Sequence, residues 1–366
     1  MDIRFKMPVE IVMRENCVQL QRYAISAYGS RAVIIADNLG TESGALEDIT
    51  AVLREAGTDF VIASSAAENY LILTDICGLA EELRPFGAEF VVSIGGPAAI
   101  NTGKGLSLLA AQPEQISKTD ITEGNYRSRS IPHIVIPTKV GCGNETTPFM
   151  TYRTSAFGKI HTLNDSALFA RLALFDWRYT AAISWDTMVS MVFATIGCAV
   201  EAVLAADSSS FIRAIAWESL ANTSVVLSAL GEDLIDIEIR RMVMYDNVLA
   251  GIAAGQTHAA GLRSIGWLLT RDRGIPHGKA IGLLLVPYLD LVRRQKPHLV
   301  DTLLHSMGFQ SLDGFCQETS RLLANKTAVS QQEIGKWAAE AALLPDVKNC
   351  TAVLTEETLV QILQTI

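Results

Sequence analysis

Along the first half of the chain, short β-branched runs alternate with longer segments whose apolar residues recur at helical spacing. Residues 31–36 (RAVIIA), 59–63 (DFVIA), 90–94 (FVVSI) and 134–137 read as strands. Between them, residues 44–56, 70–83 and 101–111 read as helices. Strand–helix alternation of this kind predicts a parallel, doubly wound sheet. From about Tyr179 the pattern changes. Residues 187–205, 211–230, 235–254 and 278–293 are Ala/Leu/Met-rich with helical spacing, and strand candidates are few. The expected architecture is an α/β, doubly wound (Rossmann-like) domain over 1–178, followed by an all-α domain over 179–366.

Composition agrees with a core-rich globular chain. It has 366 residues, 49% hydrophobic and 19% charged, enough for two domains. The net charge is −9 and the only dense basic stretch, residues 293–296, is short. That argues against a nucleic-acid partner, which needs a basic stripe. A membrane span needs about 20 apolar residues, whereas Glu201 and Pro287 interrupt the longest apolar stretches. The start, MDIRFKMPVE, carries no apolar signal core. A cytoplasmic protein without a membrane partner is expected. Its six cysteines form no C-x-x-C pair and are expected as reduced thiols.

Two loops carry candidate chemistry. The strand at 90–94 runs into Gly95-Gly96-Pro97-Ala98, then a helix bearing Asn101 and Lys104. A glycine pair lets backbone approach a pyrophosphate, and a helix N-terminus favours its negative charge. A strand–turn–helix corner without a ligand is the equally weighted alternative from this motif alone. The second loop, residues 137–148 (PTKVGCGNETTP), also follows a strand and is rich in Gly and hydroxyl groups. It can offer N–H and hydroxyl donors to a cofactor.

These loops resemble the paired nucleotide-binding loops of the iron-containing (group III) alcohol dehydrogenases, a family with the dehydroquinate synthase-like fold. The resemblance continues through Gly158-Lys159, Leu174-Phe175-Asp176, residues 196–202 (IGCAVEA) and residues 274–278 (GIPHG). It implies a dinucleotide on the first domain. Gly95, Gly96 and Pro97 would face its pyrophosphate, with Thr138, Lys139, Cys142 and Lys159 along it. Asp37 would accept from the adenosine ribose and mildly favour NAD over NADP. The resemblance also implies a homodimer. The sequence departs from the family pattern at Pro97, Ala98, Asn101, Lys139, Cys142 and Asn144.

The same resemblance implies a divalent metal held by an Asp and a His one helical turn apart and by two later His. Here the first two positions read Ala194 and Cys198, and the later two match His258 and His277. Alanine cannot ligate. Three readings stay open: zinc on Cys198, His258 and His277; a metal-free site using the imidazoles; or histidines that are merely structural. Loss of the carboxylate argues against iron. His277 opens a helix, where an imidazole is kept neutral and can still donate a hydrogen bond. Arg263, Arg271 and Arg273 are candidates for binding a substrate anion.

The expected function is NAD(P)H-dependent reduction of a small aldehyde or ketone, or the reverse alcohol oxidation. His277 and His258 are the expected catalytic residues, with or without a metal. Lyase-type, non-redox chemistry on the same fold and a catalytically silent homologue are the alternatives.

Overall fold

The computed structural model describes residues 5–64, 71–141, 143–154, 160–323 and 329–366. It divides into two compact units. One comprises Met7–Val140 and Asn144–Ile183; the other comprises Met1–Lys6, Gly141–Gly143 and Ser184–Ile366. The sequence-based boundary at 178/179 is a single cut. The actual partition also hands the short Gly141–Gly143 segment to the helical unit, which a linear reading does not anticipate.

The α/β unit is built on a six-stranded sheet. Its strands are β1 (Glu10–Met13), β2 (Arg31–Ala36), β3 (Asp59–Ser64), β5 (Phe90–Gly95), β6 (His133–Pro137) and β9 (Leu172–Phe175). The order is β1-β9-β6-β5-β2-β3 and every pairing is parallel. β5 and β6 are buried along their whole length, because helices cover both faces and leave no polar side. The doubly wound expectation is met. From β2 the chain steps outward to β3, then returns to the other side of β2 as β5. The strand order therefore reverses at β2/β5, and in open α/β sheets ligands sit at that switch point, beyond the carboxyl ends of the strands.

A smaller sheet joins β4 (Leu71–Ile72), β7 (Phe149–Arg153) and β8 (Ile160–Asn164); Leu71–Ile72 was expected as the start of a helix, which instead begins at Leu73, and the other two strands lay outside the sequence reading. So did β1 and β9. These strands are short, and β8 alternates little between buried and exposed positions. The pattern carries no signal there until pairing supplies it.

The helical unit follows the expected segments closely. The helices Trp185–Leu204, Ile237–Ala254 and His277–Gln295 are each within a few residues of expectation. The run at 211–230 is instead two helices, Ser210–Leu220 and Thr223–Gly231. The break coincides with Asn222, whose side chain donates to Asp246 at 2.8 Å. Trp185–Leu204 is long and apolar enough for a membrane span, contrary to the sequence reading. Yet 89% of its apolar window is buried inside the protein, as in a core helix. Glu201, within it, is fully buried.

Candidate functional site

The corner after β5 is held by one carboxylate. Asp37, at the end of β2, accepts from Gly40 N at 2.7 Å and from Gly96 N at 2.8 Å. One oxygen caps a short helix and the other pins the glycine turn. Both oxygens of the expected ribose acceptor are thus engaged within the protein. Gly95 has φ +138°, and a Cβ there would lie 2.3 Å from the Asp37 carboxylate. Only glycine fits. Pro97 is the first residue of the helix Pro97–Ala110, where a missing N–H costs nothing. With Gly96 N bound to Asp37, the free donors of this helix start are the N–H groups of Ala98 and Ala99.

The second loop is tied to the first from beneath. Lys104 is completely buried and donates to the Thr147 and Phe149 carbonyls, both at 2.7 Å. Burial pushes its amine down to about 7, and Glu145 opposes that shift. Asn101 Oδ1 accepts from Asn144 Nδ2 at 3.3 Å and from Thr151 N at 3.4 Å. Asn101, which departs from the family pattern, is therefore a working link between the loops. Thr138 N donates to Gly95 O at 3.1 Å. The Lys139 side chain lies against Gly96, 3.3 Å from where a Cβ would stand. Cys142 and Lys159 lie outside the described residues.

The hydroxyls of Thr138 and Thr147 are buried without a partner among the described residues. A buried polar atom left unpaired asks for a ligand or water. Two helix-start donors and two orphaned hydroxyls fit a dinucleotide at this corner.

In the helical unit the expected metal ligands do not assemble. Among the described residues no three His, Cys, Asp or Glu side chains are placed to hold a metal. His258 has a side chain 77% exposed, held at the surface by Asp207. Its Nδ1 and backbone N both meet Asp207 Oδ2, at 2.7 and 3.1 Å, while Asn349 donates to Asp207 Oδ1 and to His258 O. The imidazole is bound by a network of its own and does not join Cys198 and His277. Ala194 offers no donor, and the Gly141 backbone lies against it, 3.2 Å from its Cβ to an ideal Gly141 Cβ.

Arg263, and not His258, is anchored to the helix that carries Cys198, through Glu201. Its Nε is bound to Glu201 Oε2, and Glu201 Oε1 accepts from Ala260 N at 3.0 Å and Arg263 N at 3.1 Å. Cys198 and Glu201 share one face of their helix, and Arg263, Gly266 and Trp267 share one face of Leu262–Arg273. The His277 ring stacks on Trp267 at 3.7 Å and stands 3.4 Å from the position of a Gly266 Cβ. Burial, then the Arg263 charge, pushes the imidazole down to about 3, so it is neutral at pH 7. A hydrogen bond with the Gly266 backbone opposes that shift. For Arg263, burial disfavours the charge, but Cys198, Glu201 and Asp346 outweigh it and hold the guanidinium protonated. A divalent metal does not fit this donor set: one position has no donor, and a fixed cation lies against the remaining ones.

The other two arginines are committed elsewhere. Arg271 pairs with Asp272 and Glu340, and Arg273 with Glu333. Sequence reasoning named Arg263 only as one of three substrate-anion candidates, and missed Trp267. The available signal was Glu201: a carboxylate inside an apolar helix is rarely buried without a cation.

Comparison with known proteins bears on the whole chain. Residues 8–177 match the family model described as iron-containing alcohol dehydrogenase. A solved structure described as an iron containing alcohol dehydrogenase is similar over 100% of this chain and 99% of its own, with TM-score 0.90 and 26% identity. The sulfoacetaldehyde reductase of Bifidobacterium kashiwanohense, solved with NAD+, shares the fold at TM-score 0.87 and 19% identity, over 100% and 98% of the two chains. The probable alcohol dehydrogenase EutG of Escherichia coli K12 is 24% identical over 222 residues, 60% of this chain and 56% of that protein. The chain thus spans only about half the length of that curated relative.

Proposed function

We propose that this chain, whose residues 8–177 match the iron-containing alcohol dehydrogenase model, is an NAD(P)H-dependent reductase of a small aldehyde or ketone, or oxidises the corresponding alcohol. The observation that carries this reading is the corner at the β2/β5 switch point, where Asp37 pins Gly96 and leaves two helix-start donors beside two unpaired hydroxyls. When bound, the nicotinamide supplies the hydride that turns a carbonyl into an alcohol, with one proton added at oxygen.

The chain's own residues position and electrostatically tune that exchange. Ala98 and Ala99 N–H groups and the Thr138 hydroxyl hold phosphate oxygens. Lys104 and Asn101 keep the second loop in register with the first. The Asp37 carboxylate places negative charge at the end of β2, which disfavours a 2′-phosphate and favours NAD. His277, neutral at working pH, is a hydrogen-bond partner and not a proton reservoir.

The acidic charge of −9 supports a chain without a nucleic-acid partner. A cytoplasmic homodimer, without a membrane partner, completes the proposal on the strength of the family resemblance. Titration of the purified protein with NADH and NADPH, followed by nucleotide fluorescence, tests the reading. Saturable binding of NADH, tighter than NADPH, is expected; binding of neither sinks it.

A further inference from the structure

We infer that the helical unit holds a site for one monovalent cation of about water's size, in the pocket where Asp246 meets Thr195, Ser219 and Thr223. The pocket lies wholly within that unit, between the helices Trp185–Leu204, Ser210–Leu220, Thr223–Gly231 and Ile237–Ala254. Its volume is about 10 Å³, room for a single water-sized sphere. Valine and isoleucine side chains form its remaining walls.

The first observation is a buried acid without a counter-charge. Asp246 is 6% exposed, and its Oδ1 accepts from Asn222 Nδ2 at 2.8 Å. No described basic side chain pairs with it, whereas the buried Glu201 has Arg263. The titratable groups that face it are Glu218, on the adjoining helix, and Tyr245, its neighbour in the chain. Neither brings positive charge. The helix Ser210–Leu220 also ends here, so the negative end of its dipole adds to the field. A carboxyl so placed either keeps its proton or takes a cation.

The second observation is unspent oxygen around that acid. Thr195 lines the pocket, is 4% exposed, and its Oγ1 has no partner among the described residues. A helical threonine ordinarily spends its hydroxyl on a carbonyl one turn back. Thr270 does so, on Gly266 O at 3.0 Å; Thr195 does not. Ser219 Oγ donates to Asp246 O at 2.7 Å, which uses its proton and leaves its lone pairs. A water would satisfy these hydroxyls but leave the carboxylate uncompensated. A cation satisfies both.

The donor set selects the ion. One carboxylate with neutral hydroxyls carries a single negative charge, so a divalent ion would leave net charge in a largely apolar pocket. Calcium also takes more oxygen ligands than the pocket offers. No imidazole or thiolate is among the lining residues, so zinc, iron and copper lack their preferred partners. Potassium and ammonium are close to water in size and bind oxygen. Bound there, such an ion ties four helices together and competes with the proton for one carboxylate. Burial pushes that carboxyl up to about 7 while no cation is bound, with Asn222 opposing and Glu218 assisting. The ion therefore stabilises most above pH 7, and its effect fades as pH falls and the proton takes its place.

The test uses the full-length protein, dialysed into choline chloride at about pH 8 and melted at constant ionic strength in choline, lithium, potassium or ammonium chloride. Potassium and ammonium should each give a saturable rise in melting temperature of about 2–4 °C over choline. Lithium should give less, and the rise should shrink by about pH 5. Asp246→Asn should abolish it, and Thr195→Val, which keeps the carboxylate and removes the unspent hydroxyl, should weaken it. Crystals soaked in thallium(I), a potassium mimic, should show an anomalous peak in the pocket beside Asp246. Equal melting temperatures in potassium and choline at pH 8 overturn the inference. So does an Asp246→Asn protein that responds as the wild type does, or a soaked crystal whose pocket holds only water. Neither measurement involves a nucleotide, so this site and the reductase reading stand or fall separately.

Discussion

The corner after β5 and the cluster around Arg263 both depart from the family pattern, yet with opposite consequences. At the corner, Pro97, Ala98 and Asn101 replace expected residues, but the work is done by backbone N–H groups and by buried links beneath them. Asp37 pins Gly96, and Lys104 holds the second loop. Side-chain changes there leave the donors in place. In the helical unit the expected work is done by side-chain donors. Replacing them with Ala194 and Cys198, and setting a guanidinium beside His277, changes which chemistry is available. Backbone-built sites tolerate substitution; side-chain-built sites are rewritten by it.

The largest expected effect comes from cutting the helical cluster. Glu201→Ala leaves Arg263 deep in the protein without its main counter-charge. A loss of about 3–5 kcal/mol is expected, as for breaking a buried pair from one side, read as a large drop in urea midpoint. A shift under 1 kcal/mol would mean that the pair is solvated and the comparison is wrong.

Next is Gly95→Ala at the corner. Positive φ with a side chain costs about 1–2 kcal/mol, and the new Cβ collides with Asp37. NADH affinity should fall at least tenfold while kcat at saturation changes less. An unchanged affinity would show that the turn is not where the nucleotide binds.

A smaller effect tests whether the helical unit holds other strained polar groups. Burial pushes Asp246 up to about 7, with Asn222 opposing and Glu218 assisting. The folded state thus holds a proton that the unfolded chain releases near 3.8. That contribution is complete in acid and is lost as pH rises through 7. The wild type should therefore lose stability between about pH 4 and pH 7 relative to Asp246→Asn, read as converging or crossing melting temperatures. Parallel curves would refute the assignment.

The smallest expected effect is His258→Ala. With the ring exposed and held by Asp207, kcat should change by less than about threefold, in keeping with a surface substitution. A hundredfold loss would return His258 to the catalytic role expected from the sequence.

Much of the fold was legible because local pattern and tertiary role coincide. β5 is fully buried and β2 is buried from Ala32 on, so their β-branched runs stand out, and the long helices carry clear spacing. The 211–230 run misled because its apolar period continues through Asn222, where a bond to Asp246 accompanies the break. The corner was legible where glycine is obligatory, at Gly95. The site was illegible where partners lie far apart in sequence. Arg263 reads as a surface charge until Glu201, 62 residues away, is seen beside it. His258 reads as a ligand until Asp207 claims it.

The sequence by itself determined the alternation of elements, the glycine corner and the absence of a ligand at Ala194, since these follow from residue type and spacing alone. Tertiary structure alone decided that Asp37 serves the turn, that Lys104 is a buried strut, and that a guanidinium and not an imidazole stands beside Cys198 and His277. Pairings of that kind depend on which distant groups meet in a poorly solvated interior, where an unpaired charge is too costly to leave, and no local pattern records them.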